Sequence, residues 1–291
     1  MPGRNKAPTL RLRRFAAKLR ELREAAGLSP VEVADLTGLD RATLFRIEGA
    51  KVRPQARSLR ALLDAYRASD QDRNELTALL KAAAEQTWLQ PTASLPSQYA
   101  THIGFESEAE GVRNYEILAI PGLLQTENYA RAMIKGTVPD VSRDEVESRV
   151  SARLERQRLL TRPTPLKLWA VIDESALLRE VGGRQVMHDQ LAKLREAADE
   201  PNITIQVIPR SAGAYPGMHG AFVLLEFPGE GHDVVYMEGS SSDLFLEGEQ
   251  DISHYSMLFE HLRAVAAGPD ATRALLATAQ ENWKEGRHDR S

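Results

Sequence analysis

The chain of 291 residues contains no cysteine and no apolar stretch near the length that crosses a membrane. A spanning helix needs about 18 to 20 consecutive apolar residues. The lack of cysteine excludes disulfide bonds, thiolate nucleophiles and cysteine-ligated zinc. The basic N-terminus has no apolar run behind it, as a signal peptide would have. We therefore expect a cytoplasmic protein that makes no contact with a membrane.

Sequence patterns of familiar catalytic sites are also missing. The chain has no Gly-x-Ser-x-Gly elbow, no His-Glu-x-x-His helix and no phosphate-binding glycine loop. Its seven histidines are scattered, and His254 and His261 stand two helical turns apart, which is too far for one metal ion without other ligands. We expect no enzyme activity, no cofactor and no metal site.

Positive charge is concentrated in the first third of the chain. Residues 1–90 hold 17 Lys and Arg against 11 Asp and Glu, whereas the remainder holds 20 against 30. The net charges are therefore +6 and −10, and together they give the −4 of the whole chain. Such an asymmetry favours an anionic partner, double-stranded DNA above all, for the first part and a different role for the second.

Changes in sequence texture divide the chain into two domains. From about residue 10 to 84, apolar residues recur at helical spacing, whereas after residue 99 β-branched runs alternate with helical patterns. We predict an all-α domain followed by an α+β domain. The predicted segments are a basic arm at 1–9, the all-α domain at 10–85, a linker at 86–98, the α+β domain at 99–284 and a tail at 285–291.

Five strands are predicted in the second domain, and the last three are close enough in sequence to form an antiparallel meander. The strands are predicted at 112–120, 166–172, 203–208, 221–227 and 234–237. Helices are predicted at about 124–135, 142–160, 184–199, 249–267 and 270–284.

Two capped helices separated by a short turn form the strongest motif in the chain. Ser29 and Glu32 flank Pro30 in the pattern of a capping box, and Gly38 ends the first short helix. Asp40 is then placed to cap a second helix. This order is typical of a helix-turn-helix, whose second helix lays its N-terminal residues in the major groove of DNA.

Both helices of this motif have core positions, and the second also carries the candidate base contacts. We expect Val33, Ala34 and Leu36 of the first helix and Leu44 and Ile47 of the second to point inward. Arginine is the usual bidentate ligand of guanine, and cations beside the groove meet phosphates. The predicted base contacts are Arg41, Ala42, Phe45 and Arg46. The predicted phosphate contacts are Lys51, Arg53, Arg57 and Arg14.

The stretch AGLSPVEVADLTGLDRATLFRIEGAKVRP resembles the XRE, or lambda-repressor-like, helix-turn-helix domain. In that family an Arg of the first helix pairs with a Glu that closes the recognition helix, and Arg23 and Glu48 occupy the matching places. The resemblance also shows two departures. Pro30 stands where the family often has a phosphate-binding Gln, and Phe45 stands where a small polar residue is commoner.

The sequence indicates structural rather than catalytic roles for several charged residues of the second domain. Asp173 is expected to cap a helix rather than to form a carboxylate pair with Glu174. A helix at about 142–160 carries four arginines with Glu147 and Glu155 interspersed, which is typical of a solvated, ion-paired face. These arginines are Arg149, Arg153, Arg156 and Arg158.

A Pro-Gly turn at 121–126 leads from a strand into a helix and leaves two interpretations open. It is either a hinge that packs in the core or one wall of a pocket or partner groove, with the loop 211–219 as a mobile lid. The residues of the second interpretation are Leu123, Leu124, Tyr129, Tyr215 and Met218.

The second domain resembles the domain that follows such a helix-turn-helix in antitoxin-like actinobacterial regulators, including WhiJ-like developmental regulators. The stretches IPGLLQTENYARAMI, VIDESALLREVGG and NITIQVIPRSAGAYPG carry this resemblance, which covers about 100–282. It implies a regulator of development or secondary metabolism in an actinobacterium that works with a small protein partner.

We therefore expect a sequence-specific DNA-binding transcriptional regulator with a domain that senses a small-molecule effector or a protein partner. The alternative is an antitoxin that neutralises a small protein and represses its own promoter. We also expect a homodimer, since an apolar stripe on the penultimate helix offers a dimer interface, unless the stripe covers the domain's own sheet. The stripe consists of Leu258, Phe259, Leu262 and Val265.

Overall fold

The computed structural model describes residues 10–82, 97–228, 233–239 and 243–285. The chain divides into two compact units, residues 1–90 and 91–291, called here the N-terminal and C-terminal units. Their boundary falls inside the predicted linker 86–98. The predicted arm 1–9, the linker up to residue 96 and the tail beyond residue 285 lie outside the described residues.

The described part of the N-terminal unit consists of five helices. They are α1 Leu10–Ala25, α2 Pro30–Thr37, α3 Arg41–Glu48, α4 Ala56–Ala65 and α5 Asp70–Ala82. Gly27 and Gly38 both have a φ of 69°, so each ends a helix in the left-handed conformation that glycine adopts without strain. The helices enclose a core that includes Phe15, Leu19, Leu44, Ile47, Leu62 and Leu76.

The predicted inward positions of this unit are confirmed for Val33, Leu44 and Ile47, which are buried. Leu36 was predicted to point inward, and that prediction is wrong because its side chain is 64% exposed. It lies in the last turn of α2, where the side chain reaches solvent.

A six-stranded mixed sheet forms the centre of the described C-terminal unit, which confirms the predicted α+β class. The strands are β1 Gly111–Glu116, β2 Lys167–Asp173, β3 Ile203–Ile208, β4 Phe222–Glu226, β5 Val234–Met237 and β6 Leu244–Leu246. Their order across the sheet is β3-β2-β1-β4-β5-β6. β1, β2 and β3 are parallel, whereas β4, β5 and β6 continue from β1 in antiparallel pairs.

This order corrects the predicted meander of the third to fifth strands. β3 lies at one edge beside β2, and β4 pairs with β1 instead. The reason is that β1, β2 and β3 are joined by helical crossovers, which place successive strands in parallel. The meander is built from β4, β5 and β6. The short strand β6 was not predicted from the sequence.

Seven helices accompany the sheet in the described residues. They are α6 Ser97–Glu108, α7 Glu127–Thr137, α8 Arg143–Gln157, α9 Glu174–Leu178, α10 Arg184–Ala197, α11 Glu249–Val265 and α12 Pro269–Glu285. α6 begins where the linker was predicted to end, and it was not predicted.

The apolar stripe of α11 covers the sheet of its own unit. Phe259 and Leu262 are completely buried in one cluster with Tyr115 and Phe222, and Leu258 and Val265 pack against that cluster. The interpretation of this stripe as a dimer interface is therefore wrong, because Phe259 and Leu262 expose no surface to a partner.

Candidate nucleic-acid interface

The second helix of the motif, α3, begins at a well-formed cap. Asp40 has extended backbone angles, and its carboxylate accepts hydrogen bonds from the Thr43 amide at 2.8 Å and from the Thr43 hydroxyl at 2.6 Å. These bonds hold the pKa of Asp40 below its ordinary value. The preceding helix starts with the complete capping box of Ser29 and Glu32. Both caps fix where the two helices begin and therefore which residues of α3 face outward.

The four predicted base contacts share the exposed side of α3. Arg41, Ala42, Phe45 and Arg46 are all exposed, opposite the buried Leu44 and Ile47. Phe45 is 67% exposed, an unusual degree for a side chain of its size in a soluble domain. The face therefore presents two cations around an aromatic ring, a combination suited to guanine edges and a thymine methyl group.

Two of these side chains have neighbours that hold them in place. Arg46 folds back along α3, where its Nη2 donates to the Thr43 hydroxyl at 2.9 Å. The Lys51 ammonium lies 5.3 Å from the centre of the Phe45 ring, within the range of a cation–π contact. Arg46 must leave its bond with Thr43 to reach a base, whereas Arg41 is exposed at the first position of the helix.

The predicted phosphate contacts differ in exposure. Lys51, Arg53 and Arg57 are exposed, the first two on the loop after α3 and the third at the start of α4. Ala50 turns this loop with a positive φ of 54°. Arg14 is half-buried on α1 and takes part in interactions within the chain.

Arg23 and Glu48 lie in direct contact and tie α1 to the end of α3. Arg23 Nε donates to Glu48 Oε1 at 2.8 Å, and Arg23 Nη1 donates to the carbonyl oxygen of Leu28 at 3.0 Å. The hydrogen bond from Arg23 to Glu48 raises the pKa of Arg23. Arg20 Nη2 also donates to the Glu48 carbonyl oxygen at 2.6 Å. These bonds fix the orientation of the helix that carries the candidate base contacts.

In the C-terminal unit, the pocket interpretation fails for three of its five residues. Leu123, Leu124 and Tyr129 are buried in the interior, and the Tyr129 hydroxyl accepts a hydrogen bond from the Ile120 amide at 3.2 Å. The prediction that they form a pocket wall or partner groove is wrong because they pack as core residues. The alternative interpretation, a packing hinge, describes them correctly.

The loop that carries Tyr215 and Met218 is anchored to the sheet. Tyr215 donates to the Asp173 carboxylate at 2.6 Å, and its hydroxyl lies 2.7 Å from that of Tyr115. Gly217 is buried so close to Tyr115 that a Cβ there would lie 2.9 Å from the ring. These contacts speak against a mobile lid. Met218 is 59% exposed beside them and lines no site within the described residues.

The predicted solvated arginine face is also wrong at one position. Arg156 is buried, and its Nε and Nη2 bond the two carboxylate oxygens of Glu106 at 2.6 and 2.7 Å. Its remaining nitrogen contacts are the Tyr99 hydroxyl at 2.9 Å and His102 Nε2 at 3.1 Å. Tyr99, His102 and Glu106 recur at helical spacing along α6, and this spacing is the sequence signal of the cluster.

Two family models match the chain, one for each unit. A helix-turn-helix domain matches residues 14–76, which include the capped helices and the Arg23–Glu48 pair. A domain of unknown function, DUF5753, matches residues 99–278 and so covers more than half of the chain. The chain belongs to the DUF5753 family. Searches of curated proteins and of solved structures returned no match.

Because DUF5753 is a domain of unknown function, this match relates the C-terminal unit to a family but assigns it no activity. The helix-turn-helix match supports DNA binding by the N-terminal unit. No helix in the described ranges of this DUF5753 protein has the length and apolarity to cross a membrane. Those ranges also contain no group of three or more His, Asp or Glu that could hold a metal ion.

Proposed function

We propose that this DUF5753 protein is a sequence-specific transcriptional regulator that binds an operator as a homodimer and whose C-terminal unit senses a ligand or a protein partner. The observation that carries the proposal is the exposed face of α3. Arg41, Phe45 and Arg46 stand outward on a helix whose two ends are fixed, one by Asp40 and the other by Glu48. A rigid helix with exposed arginines is what base recognition requires.

Some side chains of this surface are expected to distinguish bases, and others are expected to bind the phosphate backbone. Arg41 and Arg46 occupy the helix face that enters the major groove, where bidentate contacts distinguish guanine from the other bases. Lys51 and Arg53 lie on the following loop, where a phosphate contact strengthens binding to every sequence equally. Sequence preference and salt dependence are therefore expected to respond to different substitutions.

A homodimer follows from the size of the recognition element. α3 has only eight residues, and a helix of this kind contacts a few base pairs. Two copies related by a twofold axis double the length of the recognised site, with half-sites about 10 base pairs or a multiple of that apart. The stripe on α11 is buried, so the interface of the dimer lies elsewhere on the protein.

The experiment measures binding of the full chain to its selected operator and to a scrambled duplex over a salt series. Arg41→Ala is expected to lose about 1 to 3 kcal/mol on the operator and little on the scrambled duplex. Lys51→Ala is expected to weaken both and to reduce the salt slope by about one. Arg158→Ala, a change at an exposed residue of the other unit, is the matched control. Equal losses for Arg41→Ala on both duplexes would contradict base recognition.

A further inference from the structure

A cluster of polar side chains lies between the sheet and the helices α6 and α8 of the C-terminal unit. Neighbouring residues of a strand point to opposite faces, so Glu116 faces away from Tyr115, and Tyr236 faces away from Val235. Tyr115 and Val235 belong to the core under α11. Tyr236 stacks on His102 of α6 with ring centres 4.0 Å apart, which places this helix over the opposite face.

Two guanidinium groups from α8 converge on Gly122 at the edge of this cluster. A Cβ at Gly122 would lie 3.8 Å from Arg156 Nη2 and 3.9 Å from Arg153 Nε. Any side chain at position 122 would therefore begin in van der Waals contact with both guanidinium groups, and glycine leaves that contact unmade.

The two cations differ in how their charge is neutralised. Arg156 forms a bidentate pair with the Glu106 carboxylate. Arg153 Nη1 donates to the neutral amide oxygen of Gln125 at 2.8 Å, and Arg153 is in no ion pair within the described part of the chain. A partly buried cation without a nearby anion costs free energy, because burial removes part of its hydration. Arg153 is therefore the charge in this cluster that a bound anion would neutralise.

Two buried donors in the same cluster also have no partner among the described residues. They are Arg153 Nε and His102 Nδ1. Burial and the charge of Arg156 lower the pKa of His102 well below its ordinary value, so the ring is neutral. A guanidinium can only donate, so His102 Nε2 accepts from Arg156 and the ring proton resides on Nδ1. Buried donors of this kind usually bond a protein group, a water molecule or a ligand.

Glu116 borders the cluster at the carboxyl end of β1. Burial above all, together with the nearby charge of Glu238, raises the pKa of Glu116 to about 7, although the hydrogen bond from Asn114 and the charge of Arg153 act in the opposite direction. Near neutral pH this carboxyl group therefore carries a proton part of the time. Glu116 and Arg153 both keep some exposure to solvent. Ligands of parallel sheets bind at this end of the strands.

We propose that this cluster binds a small molecule through a carboxylate group, which Arg153 Nε and Nη atoms hold beside Gly122 while Glu116 and His102 supply further hydrogen bonds. A carboxylate fits better than a dianionic phosphate because, of the two arginines, Arg156 already bonds the Glu106 carboxylate, which leaves the single charge of Arg153 for a ligand. The regulatory meaning of this site rests on the proposed sensing function. The binding itself does not, since it is a property of the C-terminal unit alone.

The test follows the arginine Nε–H signals of the ¹⁵N-labelled full chain by NMR while sodium acetate is added at constant ionic strength. The Arg153 signal, assigned by its loss in Arg153→Gln, is expected to shift and saturate. The Arg149 signal is the internal control because Arg149 lies on the same helix and is already paired with Glu145 at 2.7 Å. Acetamide, which has the shape of acetate without its charge, is expected to shift neither signal.

A second readout is the rise in melting temperature that acetate produces. Arg153→Gln is expected to lose about 10- to 100-fold in apparent affinity, whereas Arg149→Gln is expected to retain it. Equal responses to acetate and acetamide, a shift that never saturates, or tighter binding of inorganic phosphate would overturn the proposal. The acetate titration itself uses the unaltered protein. If Arg153→Gln does not fold, Arg153→Lys assigns the signal instead, because it removes the guanidinium Nε–H but keeps the charge, and the NMR arm remains decisive. DNA is absent from both arms, so a failure of operator binding leaves their outcome unaffected.

Discussion

Removal of one partner of the Arg23–Glu48 pair is expected to destabilise the N-terminal unit strongly. The side chains are only 11% and 9% exposed, and their atoms lie 2.8 Å apart. In Arg23→Met the Glu48 carboxylate stays buried and loses its cation, since Arg20 bonds the backbone oxygen of Glu48 instead. Stranding a buried charge costs about 3 to 5 kcal/mol, a large share of the 5 to 15 kcal/mol or so that stabilises an ordinary domain.

Glu48→Gln is expected to cost less, about 1.5 to 3 kcal/mol. The amide oxygen can still accept a hydrogen bond from Arg23, and Arg23 keeps its bond to the Leu28 carbonyl oxygen. The Arg23 guanidinium therefore loses its ionic partner but keeps its hydrogen bonds. Replacing both residues by methionine removes the two charges together. Such a replacement is expected to recover much of the loss, because an apolar pair of similar volume often equals a buried ion pair in stability.

Hydrogen exchange of the full chain measures these differences. Peptides from α1 and α3 report the opening free energy of the N-terminal unit separately from the other unit. Asp64→Asn is the matched control, since its partner Arg73 also lies 2.8 Å away but Asp64 is 61% exposed. That change is expected to cost less than about 1 kcal/mol. Losses of this small size for Arg23→Met and Glu48→Gln would refute the reasoning, because they would mean that the pair behaves as an exposed one.

Three further predictions concern the two units. Phosphate and base contacts are expected to separate in a salt titration, in which Lys51→Ala lowers the salt slope and Arg41→Ala leaves it nearly unchanged; the same change of slope in both would contradict the division. Because the folded pKa of Glu116 is raised to about 7, the native state binds more protons than the unfolded state between the ordinary pKa of a glutamate and that pH. The free energy of unfolding, measured by chemical denaturation, is therefore expected to fall as the pH rises from the ordinary pKa of a glutamate to about 7. Glu116→Gln is expected to remove this fall; the same pH dependence in the variant and the unaltered chain would count against the buried position of the carboxyl group. Leu123→Ala is expected to cost about 2 to 5 kcal/mol in the same assay and Met218→Ala less than about 0.5, because the first side chain is buried and the second is exposed; equal costs would restore the pocket interpretation.

Local sequence signals accounted for most of the N-terminal unit. The capping box at Ser29, the cap at Asp40 and the left-handed glycines at 27 and 38 are short-range features, and each one fixes a helix end by itself. The outward face of α3 followed from these ends and from helical periodicity. Leu36 was misplaced because periodicity gives the direction of a side chain but not whether another element covers it.

Features that depend on distant partners were missed in the C-terminal unit. Arg156 was predicted to be solvated because charged residues on helices usually are, yet its partner Glu106 lies 50 residues earlier in the chain. The helix that carries Glu106 buries polar residues beside apolar ones and borders the predicted linker, so it showed no amphipathic pattern and offered only the helical spacing of its polar residues. The order of the strands likewise depends on crossovers, which the spacing of strands along the chain does not determine.

The most direct test of the central claim is selection of duplexes from a random-sequence library by the full chain. Specific recognition by the exposed face of α3 predicts enrichment of one motif with two half-sites about 10 base pairs or a multiple of that apart. The same selection with Arg41→Ala is expected to yield a motif that is degenerate at one base pair of each half-site. Recovery of no motif by the unaltered chain, or of an identical motif by Arg41→Ala, would contradict the account.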